Sequence, residues 1–174
     1  TLTRKVYFLN GDVTKIPEVV NPHDHRYSFS TTVLAGEMLD HCFAPVGALA
    51  DNAKVYDRFT YMTPLNGGNG FTYEGRDRMG LIRTEYVAQR GSIWRHACRI
   101  HTIRMLQDQT VLYLEQGEDL MPVDKPTHCW VRKGEPKPDL TGLYDHFTPD
   151  EVIARFKTIE DLTKDERILV RYAG

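Results

Sequence analysis

The stretch of sequence that decides the fold is residues 22–37, which read Pro-His-Asp-His-Arg-Tyr-Ser-Phe-Ser-Thr-Thr-Val-Leu-Ala-Gly-Glu. The Asn-Pro pair at its start is a turn signal, so a new segment begins at His23. The β-branched, partly alternating run at 29–34 ends at Gly36, as a strand that enters a turn commonly does. We predict a β-strand here.

Two histidines of this stretch, His23 and His25, are separated by a single residue. Residues two apart on a strand share a face, so both imidazole rings can reach one ion. Neutral imidazole is a good ligand for Fe, Ni, Cu and Zn. The pair therefore indicates a metal site, and the alternating Asp24 and Arg26 are expected to face away from it.

Short apolar, alternating or β-branched runs predict further strands outside this stretch, at residues 5–9, 81–87, 99–105, 110–115 and 128–131. Residues 37–43 are the expected hairpin partner of the strand at 29–34. The long stretch 44–73 contains the turn signal Asn-Gly-Gly-Asn-Gly at 66–70. Such a connection is either functional or contains short strands of its own.

The C-terminal part has a helical pattern. Residues 148–151 read Thr-Pro-Asp-Glu, with Thr as N-cap, Pro at the first helical position and Glu at the third. A second short helix is predicted over 164–170. We expect a single domain, 1–174, with a barrel at about 5–131 and a helical extension at about 147–174 packed outside it.

Composition excludes several classes of function. The 174 residues suffice for one domain with a core of its own. The 22 Lys and Arg against 24 Asp and Glu, a formal charge of −2, give no reason to expect nucleic acid or an anionic membrane. No stretch approaches the roughly 18 apolar residues that span a bilayer. We therefore expect a small-molecule substrate, no nucleic acid and no membrane.

Cys42, Cys98 and Cys129 are an odd number of cysteines without CxxC spacing. This argues against a disulfide framework and against a cysteine-based zinc site. Reduced thiols in a cytoplasmic protein are expected. Exposed sheet edges often pair, which leaves a homodimer open.

Residues 22–37 resemble the first sequence motif of the cupin superfamily, G-x5-H-x-H-x3–4-E-x6-G. His23 and His25 match its ligand histidines, and Gly36 matches its closing glycine. The resemblance implies an all-β (β-rich α+β) fold, the cupin double-stranded β-helix or jelly-roll barrel. It covers roughly residues 5–131, and the C-terminal helices lie outside it.

The second cupin motif, G-x5-P-x-G-x2-H-x3-N, is matched more loosely. Residues 91–93 match its start and His101 its histidine, but its proline, second glycine and asparagine are absent. The resemblance implies a metal site with the ligands His23, His25 and His101. Because the second motif is degraded, His96 and His128 remain open as the third ligand.

Where the first motif has a glutamate ligand, this chain has Ser30, a poor metal ligand. The remaining three-histidine face resembles the cysteine dioxygenase branch of the cupins, which also reads HDH and has a cysteine in place of the glutamate. It is also similar to a group of bacterial and phage cupins reading roughly HDHPWxFxSxxLxGGY. Three neutral ligands leave about three open positions on a six-coordinate ion, which suits Fe(II) and dioxygen. Ni, Mn, Zn and Cu remain open, because imidazole binds them all.

Four further residues are candidate catalytic residues, Arg99, Tyr113, Ser30 and Arg83. Alternation places Arg99 on the face of His101, where a buried arginine needs a carboxylate from Glu115 or from a substrate. Arg83 is a similar candidate. Tyr113 is expected to donate a hydrogen bond to bound oxygen. Ser30 is expected beside the ion, bonded to substrate or to a metal-bound water.

The sequence hypothesis is a metal-binding cupin that acts as a non-haem Fe(II) dioxygenase on a small polar or anionic substrate. One alternative is an isomerase, lyase or hydrolase in the same barrel, which uses the ion as a Lewis acid. The other is a non-catalytic ligand-binding or structural cupin of phage or bacterial origin.

Overall fold

The computed structural model describes residues 2–10, 20–47, 53–122, 124–140 and 146–164. The described chain contains a 3-10 turn at Pro64–Asn66 and an α-helix, α1, at Pro149–Thr163. Its nine strands are β1 (Thr3–Asn10), β2 (Tyr27–Ala35), β3 (Met38–Pro45), β4 (Lys54–Met62), β5 (Gly70–Val87), β6 (Ser92–Arg95), β7 (His101–Met105), β8 (Gln109–Asp119) and β9 (Thr127–Arg132).

The strands form two antiparallel sheets. One has four strands in the order β1-β8-β2-β6, and the other has five in the order β7-β3-β5-β4-β9. The predicted all-β character is confirmed, and the strands predicted at 5–9, 29–34, 110–115 and 128–131 lie within β1, β2, β8 and β9. The stretch 44–73 contains β4 and the start of β5, joined by the predicted turn. The strand β6 has no counterpart among the predicted strands.

The strands β2 and β3 follow each other in sequence but do not pair, so the predicted hairpin at 29–43 is wrong. β2 pairs with β6 and β8, whereas β3 pairs with β5 and β7. The chain crosses between the sheets at Gly36, which has a φ of 82°. A Cβ there would lie 2.6 Å from Thr110 Oγ1 and 2.8 Å from the Gln109 carbonyl oxygen. The crossover therefore requires glycine.

The two sheets face each other across an apolar core. Alternation on β2 buries Phe29, Thr31, Val33 and Ala35. One buried cluster combines residues of both sheets, namely Leu9, Val33, Ile93 and Leu112 from the four-stranded sheet with Met38 and Val87 from the five-stranded sheet. This packing holds the inner faces of β2 and β3 opposite each other, although the two strands share no hydrogen bonds in the ladder.

The chain divides into two compact units, Thr1–Tyr144 and Asp145–Gly174. In the second unit, α1 begins with the predicted capping box. The Thr148 hydroxyl accepts a hydrogen bond from the Glu151 N–H, and the Glu151 carboxylate accepts one from the Thr148 N–H. The second predicted helix lies outside the described residues except for Lys164. Within the described chain, no helix combines the length and the apolar character needed to cross a membrane.

Candidate metal centre

The segment that carries His23 and His25 connects the two edge strands of the five-stranded sheet. Its backbone exchanges two hydrogen bonds of 2.9 Å between His23 and His101 on β7. Two further backbone hydrogen bonds, of 2.8 and 3.1 Å, connect it to β9. The segment is an isolated bridge and not a regular strand. It closes the five-stranded sheet into a ring at this level and brings the histidine pair beside His101.

Three imidazole rings meet at this closure. The ring centroids are 4.8 Å apart for His23 and His25, 4.9 Å for His23 and His101, and 5.3 Å for His25 and His101. The Nε2 atoms of His25 and His101 are separated by 3.1 Å. One ligand nitrogen from each ring lies within 4.8 Å of the other two. The structure thus brings together the three histidines of the predicted metal site.

Hydrogen bonds from Nδ1 orient two of these rings. The Nδ1–H of His101 donates to Asp40 Oδ1 at 2.8 Å, and the Nδ1–H of His23 donates to the Asn21 carbonyl oxygen at 2.8 Å. A carboxylate and a carbonyl only accept, so both rings carry their proton on Nδ1. Nε2 of each ring then has the free lone pair that binds an ion.

The surroundings of the cluster keep the rings of His23 and His25 neutral. Burial, and next the neighbouring His101, lowers the pKa of His23 from 6.5 to about 4. Burial, followed by the neighbouring His23 and His101, also lowers the pKa of His25 well below its usual value. At 3.1 Å the two Nε2 lone pairs of His25 and His101 repel each other unless a neutral N–H or a cation lies between them. The cluster is therefore suited to a cation at neutral pH.

Behind His101 lies a buried carboxylate, Asp40 on β3, which is 1% exposed. Its Oδ2 accepts hydrogen bonds from Arg95 Nε at 2.9 Å, from Arg95 Nη2, and from Cys42 Sγ at 3.4 Å. Burial by itself would raise the pKa of Asp40, but hydrogen bonds from His101 and Arg95 outweigh burial and lower it. The ionised carboxylate holds His101 in one tautomer.

Asp40 also belongs to a second group of acidic and thiol side chains, with Cys42 and Glu85, whose ligand atoms lie within 4.8 Å of one another. A cation already occupies this group, because the Arg95 guanidinium bonds both carboxylates. Arg95 is only 7% exposed. This group is a buried ion-pair network and not a second metal centre.

A cavity of about 450 Å³ opens onto the histidine cluster, which is within the size range of small-molecule sites. Its apolar walls are formed by Leu9, Phe29, Met38, Phe71, Ile103, Leu112 and Leu114. Its polar lining includes Lys5, Tyr7, Tyr27, Gln116 and Asp119. The cavity is large enough for a small organic molecule beside an ion.

The cluster fits a divalent ion by distance and by donor type. Imidazole nitrogens bind such ions at about 2.1 Å, so two that subtend a right angle lie roughly 3 Å apart. The observed separation of His25 Nε2 and His101 Nε2 is 3.1 Å. Neutral imidazoles whose Nδ1 atoms are hydrogen-bonded are ligands that Fe, Ni, Cu and Zn accept. His23, His25 and His101 are the residues that can hold the ion.

Ser30 does not lie beside the cluster. On β2, Phe29 and Thr31 line the cavity, so alternation turns Ser30 to the other face of the sheet. There it lies opposite Trp94 of β6. The expectation that Ser30 lies next to an ion is therefore wrong, because alternate residues of β2 face opposite sides of the sheet.

The same correction applies to Tyr113 on β8. Its neighbours Leu112 and Leu114 line the cavity, and Tyr113 lies on the opposite face. Its hydroxyl donates to Glu115 Oε1 at 2.8 Å. Tyr113 therefore has no access to a molecule in the cavity.

Arg99 and Arg83 are both exposed and neither lines the cavity. β7 begins only at His101, so Arg99 precedes the strand and the expected alternation does not reach it. Glu115, its expected partner, instead bonds Arg4 at 3.3 Å. Arg83 pairs with Glu85 on β5. Their expected position on the inner face is corrected.

The two alternative third ligands lie outside the cluster. His96 is exposed, and its Nδ1–H donates to the Ala97 carbonyl oxygen at 2.7 Å. His128 lines the cavity, but its Nδ1–H donates to Asp24 Oδ2 at 2.8 Å. This hydrogen bond raises the pKa of His128. Asp24 thus supports the cavity wall by holding His128.

Sequence reasoning did not identify Asp40, Arg95, Lys5 or Gln116. A signal for Asp40 exists, because the run Met-Leu-Asp-His-Cys at 38–42 alternates and places an aspartate between two apolar residues on the inward face. A charged residue at such a position needs a buried partner. No comparable signal exists for the other three residues, because their roles depend on neighbours from distant strands.

The chain matches no protein-family model, no curated protein and no solved structure. The histidine cluster and the cavity are therefore the features that bear on its function.

Proposed function

We propose that the chain is a cupin-type metalloprotein that binds Fe(II) through His23, His25 and His101 and oxygenates a small molecule in the adjoining cavity. The observation that carries this proposal is the 3.1 Å approach of two imidazole Nε2 atoms beside a third imidazole. Surface histidines do not converge in this way, because each loses solvation and side-chain entropy on doing so.

The residues around the ligands support a metal role. Asp40 holds the Nδ1 proton of His101, and the Asn21 carbonyl holds that of His23. Such outer hydrogen bonds set the tautomer and orientation of metal-binding histidines. Two of the three ligands thus have their lone pairs directed before an ion arrives.

The cavity supports an enzymatic role. Bound Fe(II) would supply redox chemistry towards dioxygen, since three protein ligands leave about three positions of a six-coordinate ion open. The walls around Phe29, Met38 and Leu112 exclude bulk water from the reacting end and limit side reactions. Polar groups elsewhere in the cavity orient the organic molecule.

The cupin assignment is supported by the arrangement of the first motif. Its histidine pair lies at the inner surface of a ring of antiparallel strands, and its closing Gly36 lies where the chain crosses from one sheet to the other. A cytoplasmic location belongs to the same proposal, because Cys42, Cys98 and Cys129 all carry free thiols.

Elemental analysis of protein purified from an iron-replete host tests the metal site. We expect about one equivalent of iron in the wild type and little in His25→Ala or His25→Gln, since metal affinity depends on every ligand. His96→Ala is the matched control, because it removes an exposed histidine outside the cluster and should retain the iron. Equal metal content in folded wild type and His25→Gln contradicts the proposal.

Nitric oxide, a stable probe for open positions on ferrous iron, tests the chemistry. We expect the S = 3/2 electron paramagnetic resonance signal of ferrous nitrosyl in the iron-loaded wild type and its loss in His25→Gln. Iron that binds without giving this signal refutes oxygenation. Turnover under strict anaerobiosis would assign the ion a Lewis-acid role instead.

A further inference from the structure

The cavity is lined by a lysine whose charge indicates which class of substrate it binds. On β1, the alternating residues Lys5, Tyr7 and Leu9 line the cavity. The Lys5 Nζ lies 5.8 Å from the centroid of the Tyr27 ring, and this ring lies 5.2 Å from that of His25. The ammonium group is therefore one aromatic ring away from the histidine cluster.

The Lys5 ammonium has no carboxylate partner among the described residues. Three aspartates line the cavity. Asp40 is bound by His101 and Arg95, and Asp24 is bound by His128. Asp119 is exposed and forms no ion pair with Lys5. The contact of Lys5 in this region is the face of Tyr27. A half-buried ammonium group that faces a cavity and has no ion-pair partner of its own is a site for an anionic group of a ligand.

Gln116 on β8 supplies a second unsatisfied group. Its side chain lines the cavity, and its Oε1 is shielded from solvent without a hydrogen-bond partner. In the ladder Leu114 lies opposite Lys5, and Gln116 is two residues further along β8, so both side chains share one face. The terminal amide torsion is soft, which lets the oxygen turn towards an O–H or N–H donor in the cavity.

We propose that Lys5 and Gln116 form the recognition end of the cavity for a small monocarboxylate that has an apolar body and carries a hydroxyl or amino group. Lys5 binds the carboxylate, and Gln116 accepts a hydrogen bond from the donor. A single uncommitted ammonium matches one negative charge, and the walls match an apolar body. The inference rests on the proposed function for its reacting end, whereas the recognition end is independent of the ion.

Ligand-observed NMR with three matched probes tests the recognition end. Mandelate has an aromatic body, one carboxylate and one hydroxyl, phenylacetate lacks the hydroxyl, and mandelamide lacks the charge. We expect saturable binding whose affinity decreases from mandelate to phenylacetate to mandelamide. Loss of a charge-assisted hydrogen bond weakens binding roughly 10-fold or more, which sets the expected gap between mandelate and mandelamide.

Variants assign the effect to residues. Lys5→Met should weaken the binding of mandelate roughly 10-fold without changing the metal content, whereas Lys5→Arg should retain the binding of mandelate. Gln116→Leu should remove the preference for mandelate over phenylacetate. Lys133→Ala, which removes an exposed lysine outside the cavity, is the matched control. Mandelate binding to His25→Gln separates the two proposals, because this variant lacks the ion but keeps the recognition end.

Three results overturn this inference. The first is an absence of saturable mandelate binding, or equal binding of mandelate and mandelamide, by the wild type. The second is a folded Lys5→Met protein that binds mandelate as the wild type does. If His25→Gln loses mandelate together with its metal, the carboxylate binds at the ion, and the role of Lys5 is refuted while the metal site stands.

Discussion

Replacing Asp40 by asparagine changes one oxygen of the buried carboxylate into a donor. Oδ2 accepts hydrogen bonds from Arg95, and Oδ1 accepts the one from His101 Nδ1–H at 2.8 Å. The asparagine oxygen will face Arg95, because a guanidinium only donates. The amide NH2 then faces the Nδ1–H of His101, and two donors cannot bond each other. His101 must therefore lose this hydrogen bond or move its proton to Nε2, the ligand atom.

The expected magnitude follows from this single interaction. A hydrogen bond to a charged group contributes about 1.5–3 kcal/mol. Its loss therefore corresponds to a metal dissociation constant that is roughly 10- to 100-fold larger. Changes of this size are typical for the residues behind metal ligands. Competition with a chromogenic chelator measures the dissociation constant, and urea unfolding without metal reports the accompanying change in stability.

Asp57→Asn is the control for Asp40→Asn. Asp57 also pairs with an arginine, Arg76, at 2.8 Å, but it does not line the cavity. The Asp57→Asn substitution should therefore leave the metal affinity unchanged. If Asp40→Asn folds and binds the ion as tightly as the wild type, the argument that Asp40 sets the tautomer of His101 is refuted.

Three further predictions concern stability. Gly36→Ala should lower the free energy of unfolding by about 2 kcal/mol or more, measured by urea titration, because its φ of 82° and the nearby Thr110 both oppose a Cβ; an unchanged midpoint would contradict this. The Asp24 hydrogen bond raises the pKa of His128 above 6.5, so the stability it adds is fully present below about pH 6.5 and is lost as pH rises through the folded pKa. Unfolding titrations from pH 6 to 9 should therefore show a decline that His128→Gln flattens, and an equal decline in both proteins would refute the assignment. Thr148→Ala should weaken the first turn of α1 by about 1 kcal/mol, seen as faster amide exchange there and not in β5.

Local pattern was sufficient for most of the strands and for the first half of the candidate site. The alternation at 29–34 marks the inward residues of β2, and the HxH spacing places His23 and His25 on one side of their segment. The Thr-Pro-Asp-Glu run places the start of α1 correctly. Each of these features depends on residues fewer than about five apart, where backbone geometry alone relates their side chains.

Local pattern failed where an interaction joins distant segments. Residues 29–43 have the pattern of a hairpin, but the turn at Gly36 leads into the other sheet. Arg99 has the parity of His101, but the strand begins after it. Odd and even positions predict the face on which a side chain lies only where the chain is extended. Which strands pair is set by the packing of the whole core.

The sequence by itself determined that this is a β-rich chain with a histidine pair on one face, because strand geometry repeats every two residues and depends only on neighbours in the chain. Only the tertiary structure decided that His101 completes the cluster, that Asp40 and Arg95 stand behind it, and that Lys5 and Gln116 share its cavity. These residues come from different strands of two sheets. Their meeting depends on sheet order and closure, which no local spacing encodes.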